Sequence, residues 1–143
     1  MQTLMNSAEL YSLGLLVLRI TLGSIMFAHG AQKVLGWFGG YGLKATTGHF
    51  KNALHIPAPL AYIAAYTEFL GGIAIAAGVL TRLAALGFVV TMAVAIQKVH
   101  IKNGFFLNSG ADGKGVGIEF NLALLAMGLL LVLTGPGAFA LAN

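Results

Sequence analysis

The stretch LRITLGSIMFAHGAQK, residues 18–33, carries Arg19, His29 and Lys33 among residues otherwise suited to hydrocarbon. On a helix, Arg19, Met26 and Lys33 share one stripe and His29 stands about 80° away. Counted at about 1.5 Å per residue from the loop-side end, Lys33 is near the surface, His29 about 9 Å in and Arg19 about 24 Å in. Glu68, on a second apolar run, lies about 14 Å deep when counted from that run's own start. An isolated charge at a helix centre costs about 2.5–3.5 kcal/mol even on insertion scales, so Glu68 is expected to pair with Arg19 or His29. A buried cation, imidazole and carboxylate together suit hydrogen bonding and proton transfer to the polar head of a lipophilic molecule. The same groups serve equally well as a structural clamp that fixes helix register without any chemistry.

Further polar residues gather at the loop-side ends of the apolar runs. Gln32 and Lys33 end the first, Gln97, Lys98 and His100 close the third, and Glu119 and Asn121 open the fourth. Antiparallel connections bring these ends to one membrane face, where they are expected to form a polar vestibule leading down to Arg19 and Glu68. Gly71 and Gly72, just after Glu68, would let a neighbouring helix or a flat ligand approach closely. Trp37, Phe38 and Tyr41 read as an interfacial aromatic belt. His49 and His55 read as solvated loop residues. No metal site is expected, because no close-spaced His/Asp/Glu motif occurs. Covalent haem is excluded by the lack of CxxCH, and two histidines on different helices are weak grounds for haem b.

The elements that must position these residues follow from composition. The chain has 143 residues, 58% hydrophobic and 8% charged, with a mean hydropathy of +0.88. A soluble domain averages about 25% charged, so this is an integral membrane protein, short enough for a single domain, residues 1–143. It contains no cysteine, which excludes disulfides, thiolate metal sites and dithiol relays within the chain. Eight Lys and Arg against four Asp and Glu report topology and anionic lipid, not nucleic acid. The first residues lack a basic n-region, so no cleaved signal is expected.

Four runs, about 11–35, 59–80, 82–101 and 118–135, approach the ~20 residues needed to cross a bilayer. The expected fold is all-α, an up-down four-helix membrane bundle with a short amphipathic interfacial helix near 43–54 in the first loop. The third loop, rich in glycine, is expected to be mobile or re-entrant. Lys33, Lys44, Lys51, Lys98, Lys102 and Lys114 flank the two longer loops, whereas Arg82 and Glu9 lie opposite. The positive-inside rule then puts those loops in the cytoplasm and both termini outside. The tripeptide QKV at 32–34 recurs at 97–99, and EF at 68–69 recurs at 119–120. The spacings keep no common register, so coincidence stands beside duplication of a helix pair.

The segments LRITLGSIMFAHGAQKVLGWFGGYGL, AYIAAYTEFLGGIAIAAGVLTRLAAL, HIKNGFF and GIEFNLALLAMGLLL together resemble the DoxX family of small bacterial membrane proteins. That family includes DoxD-like thiosulfate:quinone oxidoreductase subunits. The resemblance runs from about residue 12 to 137, and its most specific parts are the Arg, HGxQK and GWFGG of the first helix and the ExxGG and TR that follow. It implies a four-helix protein of the bacterial inner membrane, linked to quinone or to thiol and sulfur redox partners. By position the family's polar signature falls on Arg19, His29, Gly30, Lys33, Glu68, Gly71, Gly72, Arg82, Glu119 and Asn121. Three functions are open at this point: a subunit that binds a quinone and needs a redox partner, a non-catalytic assembly or structural subunit, sometimes as a homo-oligomer, and a transporter of a small lipophilic compound. In the first, His29, Glu68 and Arg19 are the catalytic candidates. Lys33, Gln32, Trp37, Gly71, Gly72, Gln97, Lys98, His100, Glu119 and Asn121 are then the binding candidates.

Overall fold

The computed structural model of the chain describes residues 5–107 and 115–142. It is all-helical, with no strand among the described residues. Five α-helices follow in order: α1 Ser7–Val34, α2 Gly42–Asn52, α3 Ala58–Ala77, α4 Thr81–Ala95 and α5 Glu119–Thr134. A π-turn, Ile96–His100, and a 3₁₀ turn, Ile101–Asn103, carry α4 onward.

Helix α1 begins ahead of the expected residue 11 because a capping box starts it. The Asn6 side chain accepts from the Glu9 amide and the Glu9 carboxylate accepts from the Asn6 amide, both at 2.9 Å. Helix α3 carries proline in its first turn and stops at Gly78, whose φ of 75° is left-handed. The short link Gly78–Leu80 then sends the chain straight back as α4, which makes the two helices antiparallel. Helix α1, helix α3 and the run Thr81–Asn103 are each long and apolar enough to cross a membrane. Helix α5, with 16 residues, spans about 24 Å.

The two most extensive packings are α1 on α3 and α4 on α5. The first brings backbone against backbone. A Cβ added at Gly30 would stand 2.3 Å from the Phe69 nitrogen, and one at Gly72 would stand 2.5 Å from the Phe27 nitrogen. Helices in hydrocarbon gain little from expelling water, so small residues that permit such approach supply the dispersion contacts instead. In the second packing Gly128 faces side chains, with Val89 Cγ2 at 3.0 Å and Phe88 Cδ1 at 3.3 Å from an added Cβ. Leu22, Met26, Ile75, Phe88 and Leu131 fill the centre. The outer faces remain apolar and exposed, as at Val17, Ile63, Leu83 and Leu133. Buried Arg19 and Glu68 beneath an apolar exterior invert the soluble pattern, as expected of a chain solvated by lipid.

Two connections close the ends. Residues 135–142 lie across the α3–α4 turn, where the Leu141 amide donates to Ala77 O at 3.1 Å and the Ala142 amide to Gly78 O at 3.2 Å. At the other end α2, expected over 43–54 and observed over Gly42–Asn52, is tied to α1 by Thr46 Oγ1, which donates to Lys33 O at 3.3 Å. The third loop is not loose where it is described. Gly117 N donates to Phe106 O at 3.0 Å and Glu119 N to Phe105 O at 2.9 Å. Lys114 and the rest of 108–114 lie outside the described residues.

Candidate functional site

Glu68 pairs with Lys33, and with neither Arg19 nor His29. The expected pairing failed because the two helix ends are not level. Gly30 of α1 lies against Phe69 of α3, so the start of α3 reaches about 10 Å beyond the end of α1. Glu68 is therefore level with the last turns of α1, and Lys33 reaches it directly. The carboxylate side chain is only 4% exposed and that of Lys33 25%, so the pair is screened little by solvent.

Arg19 lies about 16 Å farther along α1 than Gly30. Fully buried, it acts as a cap for the last turn of α3. Its Nη1 donates to Ala76 O at 3.1 Å and Ile75 O at 3.5 Å, and its Nη2 donates to Phe139 O at 2.8 Å. A guanidinium at a helix C-terminus satisfies orphan carbonyls and meets the negative end of the helix dipole. Its Nε has no partner. The expected route from the vestibule down to Arg19 is not built, since Arg19 does not border the cavity described next.

A cavity of about 880 Å³ lies between the α1–α3 pair and the α4–α5 pair. That is within the ~300–1,000 Å³ of small-molecule sites. Of the expected residues, His29, Lys33, Glu68, Lys98, His100 and Asn121 border it. Helix α1 supplies His29 and Lys33 one turn apart, so both face the same space. Helix α3 supplies Glu68. The π-turn lets three successive residues, Lys98, Val99 and His100, line one side. The remaining wall is apolar, with Ile25, Met26, Phe88, Met92 and Leu124 among its residues.

The polar groups are held to different degrees. His100 Nδ1 donates to Val116 O at 2.9 Å, which leaves Nε2 of the neutral ring as the acceptor. Asn121 Nδ2 points to Met92 Sδ at 3.5 Å, a weak partner. His29 makes no hydrogen bond among the described residues and rests 6.2 Å from the Phe120 ring, centroid to centroid. An imidazole without a protein partner beside a buried ion pair can accept or donate a proton to whatever occupies the space.

Seven expected residues lie elsewhere. Besides Arg19, Gln32 turns back to donate to Phe38 O at 3.1 Å and shapes the first loop. Trp37 is 53% exposed and packs edge-on against Phe38. Gly72 serves the approach of α1, and Gly71 is buried facing Ala84 and Met26. Neither glycine borders the cavity, so the flat-ligand alternative for them fails. Gln97 is exposed. Glu119 accepts from the Leu107 amide at 3.1 Å and so holds the third loop.

Four polar lining residues were not expected: His49 and His55, from α2 and the segment after it, and Thr67 and Thr91 on α3 and α4. All four histidines of the chain thus border one space. His49 and His55 are both exposed, as solvated residues are expected to be, and they border the cavity from its open side. His55 adopts a left-handed φ of 57°, a local fold that no sequence pattern announces. These histidines do not form a metal cage among the described residues.

Comparison with known proteins identifies the family. The DoxX family model matches residues 14–101. A Bacillus subtilis (strain 168) protein named "Putative oxidoreductase CatD" is 32% identical over 131 residues, covering 92% of this chain and 86% of that one. An Escherichia coli (strain K12) protein named "Inner membrane protein YqjF" is 30% identical over 137 residues, covering 93% and 92%. No solved structure gives a significant match. With the family model covering more than half of the chain and two relatives spanning nearly all of it, the chain belongs to the DoxX family.

Proposed function

We propose that this protein is a membrane subunit of an oxidoreductase system that holds a quinone, or a similar lipophilic redox molecule, in the cavity between its two helix pairs. The observation that carries the reading is a single apolar space with one buried ion pair, Lys33–Glu68, and an unpartnered imidazole, His29, at one end. A quinone gaining two electrons takes up two protons, one at each oxygen. In this reading a free N–H of Lys33 holds a carbonyl oxygen, and His29 with Glu68 passes protons. The electrons come from a redox partner protein, because a chain without cysteine has no thiol relay of its own. The name borne by the Bacillus relative supports the redox class.

In this reading α1, α3, α4 and α5 cross the bilayer as an up-down four-helix bundle, and α2 lies at the interface. The membrane is the bacterial inner membrane, as in the Escherichia relative's name. The cavity end carries Lys33, Lys44, Lys51, Lys98 and Lys102, and by the positive-inside rule it faces the cytoplasm.

The test is purification in mild detergent followed by extraction and mass spectrometry of bound small molecules, with Glu68→Gln and His29→Ala alongside. A stoichiometric quinone in the wild type, reduced at least about tenfold in both variants, supports the reading. Bulk lipid alone from all three proteins overturns it.

A further inference from the structure

Of six exposed large apolar residues that line the cavity, four stand on two adjacent helices: Leu60 and Ile63 on α3, and Val90 and Val94 on α4. Their exposures are 54%, 62%, 55% and 37%, so they belong to the inner wall and to the lipid-facing surface at once. The two helices touch at Thr67 and Gly87, where an added Cβ would meet Thr67 Cγ2 at 3.0 Å. Because α3 and α4 are antiparallel, moving toward the loop end from this contact places Ile63 across from Val90 and Leu60 across from Val94. There the space between the helices is wall of the cavity, bordered also by the small Ala64 and by Thr91. At the opposite end Arg19 and residues 135–142 pack against the end of α3, and none of them borders the cavity.

We infer that the cavity is loaded sideways from the bilayer, through a gap between α3 and α4, by a single-tailed amphiphile. Its head rests beside Lys33, Glu68 and His29, and its tail lies between Leu60, Ile63, Val90 and Val94. The charge of the head end points the same way. Glu68 is neutralised by Lys33, which leaves Lys98 and the N–H of His29 to favour a head rich in acceptor oxygens. A small water-soluble substrate would have no use for an apolar mouth on the lipid side, whereas a tail would otherwise be forced through the charged loops. The inference rests on the same cavity as the proposed function and names its entrance and the shape of its ligand.

The chain has one tryptophan, Trp37, so a fluorescent reporter can be placed without background. In a Trp37→Phe protein, Thr91→Trp or, on the facing helix, Ala64→Trp puts an indole just inside the gap. Leu70→Trp, at an exposed α3 position that does not line the cavity, gives the lipid-facing reference. In vesicles of acyl-chain-brominated phosphatidylcholine, quenching needs contact with a lipid tail. The expected result is quenching at positions 91 and 64 comparable with that at 70, and reduced several-fold by a plugging Ile63→Phe/Val90→Phe pair. Indoles at both inner positions that remain unquenched overturn the side entrance.

A second measurement separates this from the quinone reading. Vesicle-borne menaquinone and tail-less menadione share a head, so the plugged protein should lose the former at least about tenfold and keep the latter. Equal retention of menaquinone by plugged and wild-type protein overturns the side entrance. Quenched indoles with neither compound retained overturn the quinone and leave the entrance standing. If plugging instead abolishes a dimer, the gap is a contact between two copies and the inference fails.

Discussion

The α1–α3 pair and the α4–α5 pair carry the same chemical parts and use them differently. Each carries an arginine that caps the far end of its partner helix: Arg19, midway along α1, binds Ile75 O and Ala76 O of α3, and Arg82, in the first turn of α4, binds Val132 O and Leu133 O of α5. Each has a lysine in a QKV tripeptide and a glutamate in an EF dipeptide near the other end. In the first pair Lys33 meets Glu68. In the second Lys98 borders the cavity while Glu119 accepts the Leu107 amide, and no ion pair joins them among the described residues. The first pair is also bound backbone to backbone through Gly23, Gly30 and Gly72, whereas the second is spaced by side chains. One pair is a rigid wall, and the other presents a cation, Lys98, that pairs with no carboxylate among the described residues. A binding site between them needs both.

The largest effect should come from breaking the buried cap. Arg19→Ala strands the carbonyls of Ala76 and Phe139, leaves Ile75 O only the Gly78 amide, and empties a buried volume. We expect a loss of about 3–5 kcal/mol in unfolding measured in mixed detergent micelles. Arg82→Ala, at an exposed site, should cost no more than about 1 kcal/mol. Equal losses would erase the distinction between the pairs.

Next comes glycine. Gly30→Ala drives a methyl into the Phe69 backbone, which cannot yield, and should cost about 2–3 kcal/mol. Gly128→Ala meets Val89 and Phe88 side chains that can shift, and should cost about 1 kcal/mol or less.

The lysines give a third contrast. Lys33→Met leaves Glu68 buried without a counter-charge and should lower stability by about 3 kcal/mol. Lys98→Met should leave stability within about 0.5 kcal/mol but weaken retention of the extracted ligand. The smallest effect is expected of Glu119→Gln, which keeps an acceptor for the Leu107 amide. Its ligand content should match the wild type, while that of Glu68→Gln falls.

Much of this was legible in the residues. Apolar runs of about twenty gave the helices, and prolines and glycines gave their ends to within a few positions, because hydrocarbon leaves the backbone no other way to satisfy itself. The early start of α1 was also written, in Asn6 and Glu9, but as a local capping signal outside the apolar run. The partner of Glu68 was not legible. Depth counted separately along two helices assumes that their ends are level, and only the Gly30–Phe69 contact reveals that they are not. His49 and His55 escaped for a related reason, since their place depends on how α2 and the turn at His55 bring the chain back over the cavity.

The bond from Arg19 to Phe139 spans 120 residues of sequence. During synthesis α1 emerges before α3 and well before Phe139, so its guanidinium must wait for α3 to supply two carbonyls and for the segment after α5 to supply the third. Until Phe139 emerges, a charged group sits incompletely satisfied in lipid. A segment translated about 120 residues later thus acts as the latch of α1, and a nascent chain stalled before it would expose an unfinished cap for the cell's quality-control machinery to detect.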